Sequence, residues 1–244
     1  MKIIFLGTGE AFDETLPNNS HLIISETRLL LDCGYSMPAQ LWKYNPDPSF
    51  LDAIYISHGH ADHYFGLPAL LGRMWEEKRT KPIIIICREQ IKKDIEKMLE
   101  LGYAGIRQKF EFSLDFITAE KGKKVKLNEL GLSFAPTIHS KPNLAVSIDD
   151  SKSKICYSGD GKYTKEAEQM YKGSDLLIHE AYSLEPEKPG HGSIYNLIEM
   201  AKKAKIKCLA LTHLQRSLRK QKNRLKKIIT KKIIVPQPMQ EYSL

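Results

Sequence analysis

The sequence predicts a mixed α/β protein, and three observations carry that expectation. Short apolar runs rich in β-branched residues, such as Leu51-Asp52-Ala53-Ile54-Tyr55-Ile56 and Pro82-Ile83-Ile84-Ile85-Ile86-Cys87, have the length and bounding residues of buried strands. Between such runs lie stretches with helical spacing, clearest at 89–101, where Ile91, Ile95, Met98 and Leu99 share one face and lysines and glutamates the other. The third observation is chemical. Ser57-His58-Gly59-His60-Ala61-Asp62-His63 packs three imidazoles and a carboxylate into six residues, just after a strand and just before the apolar stretch 64–71, which reads as the start of a helix.

Neutral imidazole and carboxylate are the usual nitrogen and oxygen ligands of Zn²⁺, and a tight turn lets neighbouring side chains converge from a fixed backbone. A lone histidine at a strand end is ordinarily a hydrogen-bonded structural residue; four metal-capable groups in one turn call for another account. One turn cannot place all four on a single ion without crowding. The pattern therefore splits, His58 and His60 on one metal, Asp62 and His63 on another, which predicts a two-metal site.

Taken in order, residues 2–6 read as a strand ending at Gly7-Thr8-Gly9, whose glycines permit a sharp turn. A loop follows through Pro17-Asn18-Asn19-Ser20, then a hairpin over 21–25 and 28–32 that ends at Asp32-Cys33-Gly34; aspartate before glycine is equally ordinary turn chemistry. A short helix is expected over 38–44 and a helix from the histidine turn to about Glu77. Strands are expected over 109–117, 123–127 and 131–138, the last delivering His139, and a hairpin over 145–149 and 154–157 leads to Ser158-Gly159-Asp160-Gly161. An aspartate held between two glycines can project its carboxylate between two ions. A helix over 164–172, a strand over 175–181 containing His179 and Glu180, and a helix over about 193–203 with Ser193 as its cap come next. The strand 207–211 ends at Thr212-His213. Beyond it, Leu218, Leu225, Ile228 and Ile229 form a helical apolar stripe within a run of basic residues from Arg216 to Lys232 that contains no acid.

At 244 residues and 42% hydrophobic content, the chain can bury one sizeable core, so 1–244 is expected to be a single domain. No apolar stretch approaches the ~20 residues of a membrane span, and the start lacks the pattern of a signal peptide. Cys33, Cys87, Cys156 and Cys208 are scattered and form no Cys-x-x-Cys pair, which argues against a disulfide framework, and Cys87, Cys156 and Cys208 lie in or beside apolar strand-like runs where a thiol is commonly buried. A cytoplasmic protein is expected. The net charge of +8 suits a polyanionic partner such as nucleic acid, although an excess of lysine also serves solubility.

The run His-x-His-x-Asp-His resembles the signature of the metallo-β-lactamase superfamily of binuclear hydrolases, and the resemblance extends from Phe5-Leu6-Gly7-Thr8-Gly9 to Leu211-Thr212-His213-Leu214. Within that superfamily the sequence is similar to the ribonuclease Z-like branch. The resemblance implies a four-layer α/β-β/α sandwich with two Zn²⁺ ions (Mn²⁺ or Fe as alternatives), one held by His58, His60, His139 and Asp160, the other by Asp62, His63, Asp160 and His213. It implies that Asp32 orients a ligand histidine from behind, that Asp62 and His191 (in Gly190-His191-Gly192-Ser193) are the candidate catalytic residues, and that the chain forms a homodimer. His179 and Glu180 fall outside the implied ligand set and are expected to support the site or the structure. The sequence departs from ribonuclease Z at Tyr35-Ser36-Met37 and at Leu214-Gln215-Arg216-Ser217, and the interval of only 21 positions from His139 to Asp160 leaves no room for the long arm that grips transfer RNA.

Two such metals would lower the pKa of bound water from 15.7 to about 7 and stabilise charge on a phosphoryl or carbonyl oxygen, so the expected chemistry is hydrolysis. The absence of a cysteine from the matched positions resembles phosphodiesterases and glyoxalase II more than cysteine-ligated lactamases. The leading expectation is a zinc-dependent phosphodiesterase or endoribonuclease of the transfer-RNA 3′-processing kind, acting on RNA. The alternative is a small-molecule hydrolase of a cyclic nucleotide, lactone or thioester, favoured by the missing arm. A nucleic-acid-binding protein without catalysis is the third reading, disfavoured because every ligand position is filled.

Overall fold

The computed structural model describes residues 1–185 and 188–244. In chain order the first half comprises β1 (Lys2–Gly7), β2 (Ser20–Ile24), β3 (Arg28–Leu31), α1 (Met37–Tyr44), β4 (Ala53–Tyr55), α2 (Ala61–Tyr64), α3 (Leu67–Glu76), β5 (Ile83–Cys87), α4 (Glu89–Gly102) and β6 (Leu114–Thr118). The second comprises β7 (Lys124–Leu127), β8 (Leu130–Ile138), β9 (Leu144–Asp149), β10 (Lys154–Tyr157), β11 (Lys162–Tyr163), α5 (Lys165–Tyr171), β12 (Leu176–Glu180), α6 (Ile194–Lys203) and β13 (Cys208–Thr212). The chain ends with α7 (Arg216–Arg219), α8 (Lys222–Ile228), β14 (Ile233–Ile234) and β15 (Gln240–Ser243).

These strands form two sheets, ordered β15-β1-β2-β3-β4-β5-β6 and β11-β8-β9-β10-β12-β13-β14, with β7 paired to β8. Alternation along the strands sorts the side chains into three apolar layers. Ile3, Phe5, Leu29, Leu31 and Tyr55 face Phe134, Val146, Ile148, Ile155 and Ile178 between the sheets. Ile4, Leu6, Leu30, Ile54 and Ile85 point the other way, beneath Leu41, Leu70, Leu71, Met74, Ile95 and Leu99 of the first group of helices. Cys156, Leu177, Leu209 and Leu211 lie under Ala167, Tyr171, Leu197 and Met200 of the second. This is the four-layer α/β-β/α sandwich that the resemblance implies.

The topology then places the chemistry. β3, β4, β5 and β6 run parallel to one another, as do β10, β12, β13 and β14. Asp32 follows the end of β3, the histidine turn β4, His139 β8, Asp160 β10 and His213 β13, while Glu180 is the last residue of β12. Loops at the carboxyl ends of the strands of both sheets thus meet along one edge, where α/β folds ordinarily bind ligands.

Several local expectations need correction. The helix after the histidine turn is broken into α2 and α3, because Gly66 packs against the Cys33–Gly34 turn, its N–H donating to the Cys33 carbonyl at 2.9 Å, and Pro68 then starts a new helix. The strand expected over 109–117 begins only at Leu114, because Phe110 and Phe112 stack with ring centroids 4.5 Å apart and turn into the helix-covered core. Ser193 occupies the N-cap position of α6, but its hydroxyl makes no capping hydrogen bond. The basic tail folds as two short helices, with Leu218 and Leu225 buried and Ile229 left exposed. All four cysteines are buried and free. Among the described residues no helix is long and apolar enough to cross a membrane.

Candidate metal centre and catalytic cleft

The seven side chains singled out in the sequence converge at the sheet edge as two groups: His58, His60, His139 and Asp160, and Asp62, His63, Asp160 and His213, each with one ligand-capable atom per residue lying within 4.8 Å of the others. Asp160 belongs to both. Its Oδ2 lies 3.8 Å from His58 Nε2 and 3.9 Å from His139 Nε2 on one side, and 3.4 Å from His63 Nε2 and 3.5 Å from His213 Nε2 on the other.

Glycine makes the turns close enough for this. A Cβ on Gly34 would sit 1.9 Å from the Asp62 carbonyl oxygen, so the β3 turn can lie directly under the histidine turn only as glycine. Gly159 has φ 59° and its Cβ would meet Asn143 Oδ1 at 2.3 Å, and Asn143 in turn accepts the N–H of Asp160 at 3.3 Å. Asp32 and His213 themselves hold left-handed backbone angles (φ 60° and 55°), which surrounding hydrogen bonds enforce; the His213 N–H donates to the Thr8 carbonyl at 3.0 Å.

The hydrogen bonds behind the histidines decide which nitrogen faces inward. His139 Nδ1 lies 2.9 Å from the Gly190 carbonyl, which can only accept, so Nδ1 carries the proton and the Nε2 lone pair points into the site. His63 Nδ1 donates to Asp32 Oδ2 at 2.7 Å. Ser57 Oγ donates to the same oxygen at 2.7 Å and is therefore free to accept from His58 Nδ1 at 3.0 Å. Asp32 is the hub, since its Oδ2 also receives the Tyr157 hydroxyl at 2.6 Å and its Oδ1 the Ser57 N–H at 2.7 Å. Histidine ligands held from behind by carboxylates and carbonyls are what metal sites require.

What faces inward is an electron-rich hollow. His58 Nε2 and His139 Nε2 lie 3.0 and 3.1 Å from His60 Nδ1, close to the roughly 3.3 Å edge of a tetrahedron built on Zn–N distances of about 2.0–2.1 Å. His63 Nε2 and Asp160 Oδ1 are buried and have no hydrogen-bond partner among the described residues. Lone pairs crowded at such distances need a cation between them, and two cations fit the two groups.

The charge balance differs between the groups. Burial and the neighbouring His63 hold His58 well below the ordinary imidazole range, and burial with His139 lowers His60, so both are neutral and ready to coordinate. Burial opposes charge on His213 as well, but the carboxylates of Asp160 and Asp62 outweigh it and lift His213 to about 9; Asp62, Asp160 and Asp32 likewise raise His63 against its burial. Protons occupy the second group at neutral pH when no metal does. Metal binding to that group is therefore expected to release protons and to tighten by up to about tenfold per pH unit per displaced proton as pH rises toward 9, while coordination by the neutral His58 and His60 responds much less. Calorimetric metal titrations between pH 6 and 9, in buffers of different ionisation heat, measure both quantities; an affinity flat with pH at both sites would contradict the assignment.

Beside the metal groups stands a second pair. His191 Nδ1 bonds Glu180 Oε1 at 2.5 Å, and the fully buried Glu180 uses Oε2 to accept the N–H groups of Gly161 and Gly192, each at 2.9 Å. One carboxylate thus ties the loop of Asp160 to the loop of His191. Burial lowers the His191 pKa, but the Glu180 hydrogen bond and charge more than compensate, and the net shift is upward. His179 points elsewhere, with Nδ1 on the Glu180 carbonyl at 2.7 Å and its ring near Tyr163 and Tyr171. The cleft above these groups has a volume of ≈ 410 Å³, and Phe12, Tyr35, Ser140 and Tyr182 join the histidines in lining it.

Sequence reasoning missed Tyr157, Ser57 and Asn143, which hydrogen-bond Asp32, His58 and the Asp160 loop from behind but look like ordinary strand and loop residues. Glu180 left a signal, an acid beside His179 at the end of a buried strand whose other residues are apolar, without showing that its partner would be His191.

Fold and site together define a metal-dependent hydrolase of the metallo-β-lactamase superfamily. The chain belongs to the family of the anti-Pycsar protein Apyc1, whose family model matches residues 1–233. It is similar to a ribonuclease Z of Methanococcus aeolicus, 36% identical over 155 residues that take in 62% of this chain and 48% of that protein. It is also similar to a ribonuclease Z of Thermococcus onnurineus, 28% identical over 262 residues covering 87% of this chain and 84% of that one. Among solved structures, the short form of human tRNase Z superposes with a TM-score of 0.82 at 23% identity, over 100% of this chain and 99% of the other.

Proposed function

We propose that the protein is a binuclear metal-dependent phosphodiesterase that opens the ring of a cyclic nucleotide, with zinc as the metal and Mn²⁺ or Fe as alternatives for the same nitrogen and oxygen donors. The observation that carries a small substrate over RNA is the interval from His139 to Asp160, which is filled by β9, a tight turn and β10 and carries no arm. The alignment with the Thermococcus protein points the same way. It runs over 262 positions yet takes in 87% of a 244-residue chain, so that relative has roughly fifty residues with no counterpart here. The cleft, ≈ 410 Å³, falls in the range of small-molecule sites. Family membership adds support, since the Apyc1 family hydrolyses cyclic nucleotides.

Bound metals supply a hydroxide at neutral pH and offset charge on the phosphoryl oxygens. The chain's residues do the rest. Asp160 reaches both metal groups and fixes their spacing. Asp62, kept ionised by His63 and His213 despite its burial, lines the cleft and orients the attacking water. His191, with Nδ1 engaged by Glu180, keeps Nε2 for the substrate and gives its proton to the leaving ribose oxygen.

The second reading is transfer-RNA 3′ processing, favoured by the ribonuclease Z relatives and by the exposed Lys220, Lys222, Arg224, Lys226, Lys227, Lys231 and Lys232. Metal-reconstituted protein is to be offered purine and pyrimidine 3′,5′-cyclic nucleotides and, separately, precursor transfer RNA. The expected outcome is release of linear nucleoside monophosphate at a rate little affected by salt. Cleavage of the precursor with a steep salt dependence, and no turnover of cyclic nucleotides, would reverse the order of the two readings.

A further inference from the structure

The rim of the cleft exposes two aromatic rings that folding does not require there. Phe12 keeps 76% of its surface in solvent and Tyr35 49%, and both line the cleft that contains His60, Asp62, His139, Asp160 and His213. A phenylalanine left in water forgoes the gain of burial, and this one does not stand alone but shares the rim of the cleft with a second exposed ring. The loop that carries it is braced. The Phe12 N–H donates to Glu10 Oε2 at 3.1 Å, the Tyr35 hydroxyl donates to the Ala11 carbonyl, and Asn18 Nδ2 donates to that same carbonyl at 3.4 Å. Asn18 Oδ1 accepts both the N–H and the hydroxyl of Ser36, at 3.0 and 2.7 Å, tying this loop to the turn that bears Tyr35. Behind it, Arg216 pairs with Glu10 at 2.6 Å and Arg219 with Asp13.

We propose that Phe12 and Tyr35 form the platform on which the substrate's nucleobase stacks. The inference rests on the cyclic-nucleotide reading and deepens it. In a 3′,5′-cyclic nucleotide the phosphate is fused to the ribose and the base projects from the sugar. A phosphate seated at the metal groups therefore sends the base outward to the rim. Of the polar side chains that line the cleft, Glu10 is held by Arg216, the histidines and aspartates of the two metal groups by their ligand geometry and His191 by its place at the leaving oxygen, which leaves only Ser140 and Tyr182 among the described residues to meet a base edge. Stacking reads a face that all bases have, so the enzyme is tolerant of base identity, and the larger purine faces are favoured modestly.

The test compares kcat/KM for adenosine and cytidine 3′,5′-cyclic phosphates with that for base-free ribose 3′,5′-cyclic phosphate, in the metal-loaded protein and its variants. Phe12→Ala is expected to lower the preference for nucleotide over base-free substrate roughly 5- to 150-fold, mainly through KM. Phe12→Trp is expected to retain that preference, and Tyr35→Ala to reduce it. An equal loss on both substrates overturns the proposal and assigns Phe12 to loop shape or, where the variant also sediments as a smaller species, to a contact between two copies of the chain. A wild-type enzyme that cleaves cyclic nucleotides with no difference on Phe12→Ala overturns the platform alone. A wild-type enzyme that cleaves none of the three cyclic phosphates overturns the parent reading and the platform with it.

Discussion

Asp160→Ala is expected to abolish hydrolysis, with a fall of about 10⁴-fold or more in kcat, and to reduce the bound metal from two ions per chain to at most one. The size follows from position. Asp160 Oδ2 is the atom common to the two ligand groups, 3.4–3.9 Å from four imidazole nitrogens, and among the described residues no other carboxylate belongs to both. Removing it leaves His58, His60 and His139 as a three-nitrogen site that can still hold one ion, whereas Asp62, His63 and His213 lose the charge that balances a second. Elemental analysis of reconstituted protein together with steady-state rates on a phosphodiester separates loss of metal from loss of fold, and circular dichroism of the variant checks the latter. Two ions retained with near-normal kcat would remove the basis for a bridged site. Asp160→Asn keeps the shape and one oxygen but not the charge, and is expected to fall between the two.

That this residue could be read from sequence at all depends on how local its signal is. Asp160 stands between two glycines at the end of a strand, and His58, His60, Asp62 and His63 lie in one turn, so the chemistry is written in neighbouring letters. Strands such as β5 and β12 were legible for the same reason: buried on both faces, they contain unbroken apolar runs, Ile83–Cys87 and Leu176–Ile178. Long-range pairings leave no such mark. β15, Gln240–Ser243, is a mostly exposed edge strand against β1 with no apolar alternation, and nothing in its letters announces it. The Tyr157 hydroxyl reaches Asp32 across 125 positions of chain, and Asn19 Nδ2 lies 3.3 Å from the same hydroxyl, yet each looks in sequence like a residue of its own strand or loop. The break at Gly66 depends on a turn 32 residues earlier lying beneath it, as its Cβ would meet the Gly34 carbonyl oxygen at 2.3 Å. The ligands of a metal can be listed by chemistry, but what holds them in place follows only from the packing of the two sheets.

His191→Ala is expected to lower kcat by about 10²- to 10⁴-fold on a cyclic nucleotide, whose leaving group is a basic ribose oxygen, and by much less on a p-nitrophenyl phosphodiester, whose leaving group needs no proton. The contrast between substrates distinguishes a proton donor from a residue that only shapes the cleft, and an equal loss on both would discard the acid role. Glu180→Gln tests the same device from behind. Glu180 accepts on both oxygens, from His191 Nδ1 at 2.5 Å and from the N–H groups of Gly161 and Gly192 at 2.9 Å. A glutamine must turn its amide NH₂ toward one of these donors, so either His191 or the two backbone groups lose their acceptor. The pH dependence carries a sign. His191 acts as the imidazolium, and its pKa is raised because the Glu180 bond outweighs burial, so activity dependent on it persists below that pKa and is lost as pH rises through it. In Glu180→Gln the compensating charge is gone while the burial remains, and the descending limb is expected to move to lower pH. A limb that stays in place while the rate falls would mean that Glu180 holds the Asp160 and His191 loops together without tuning the acid.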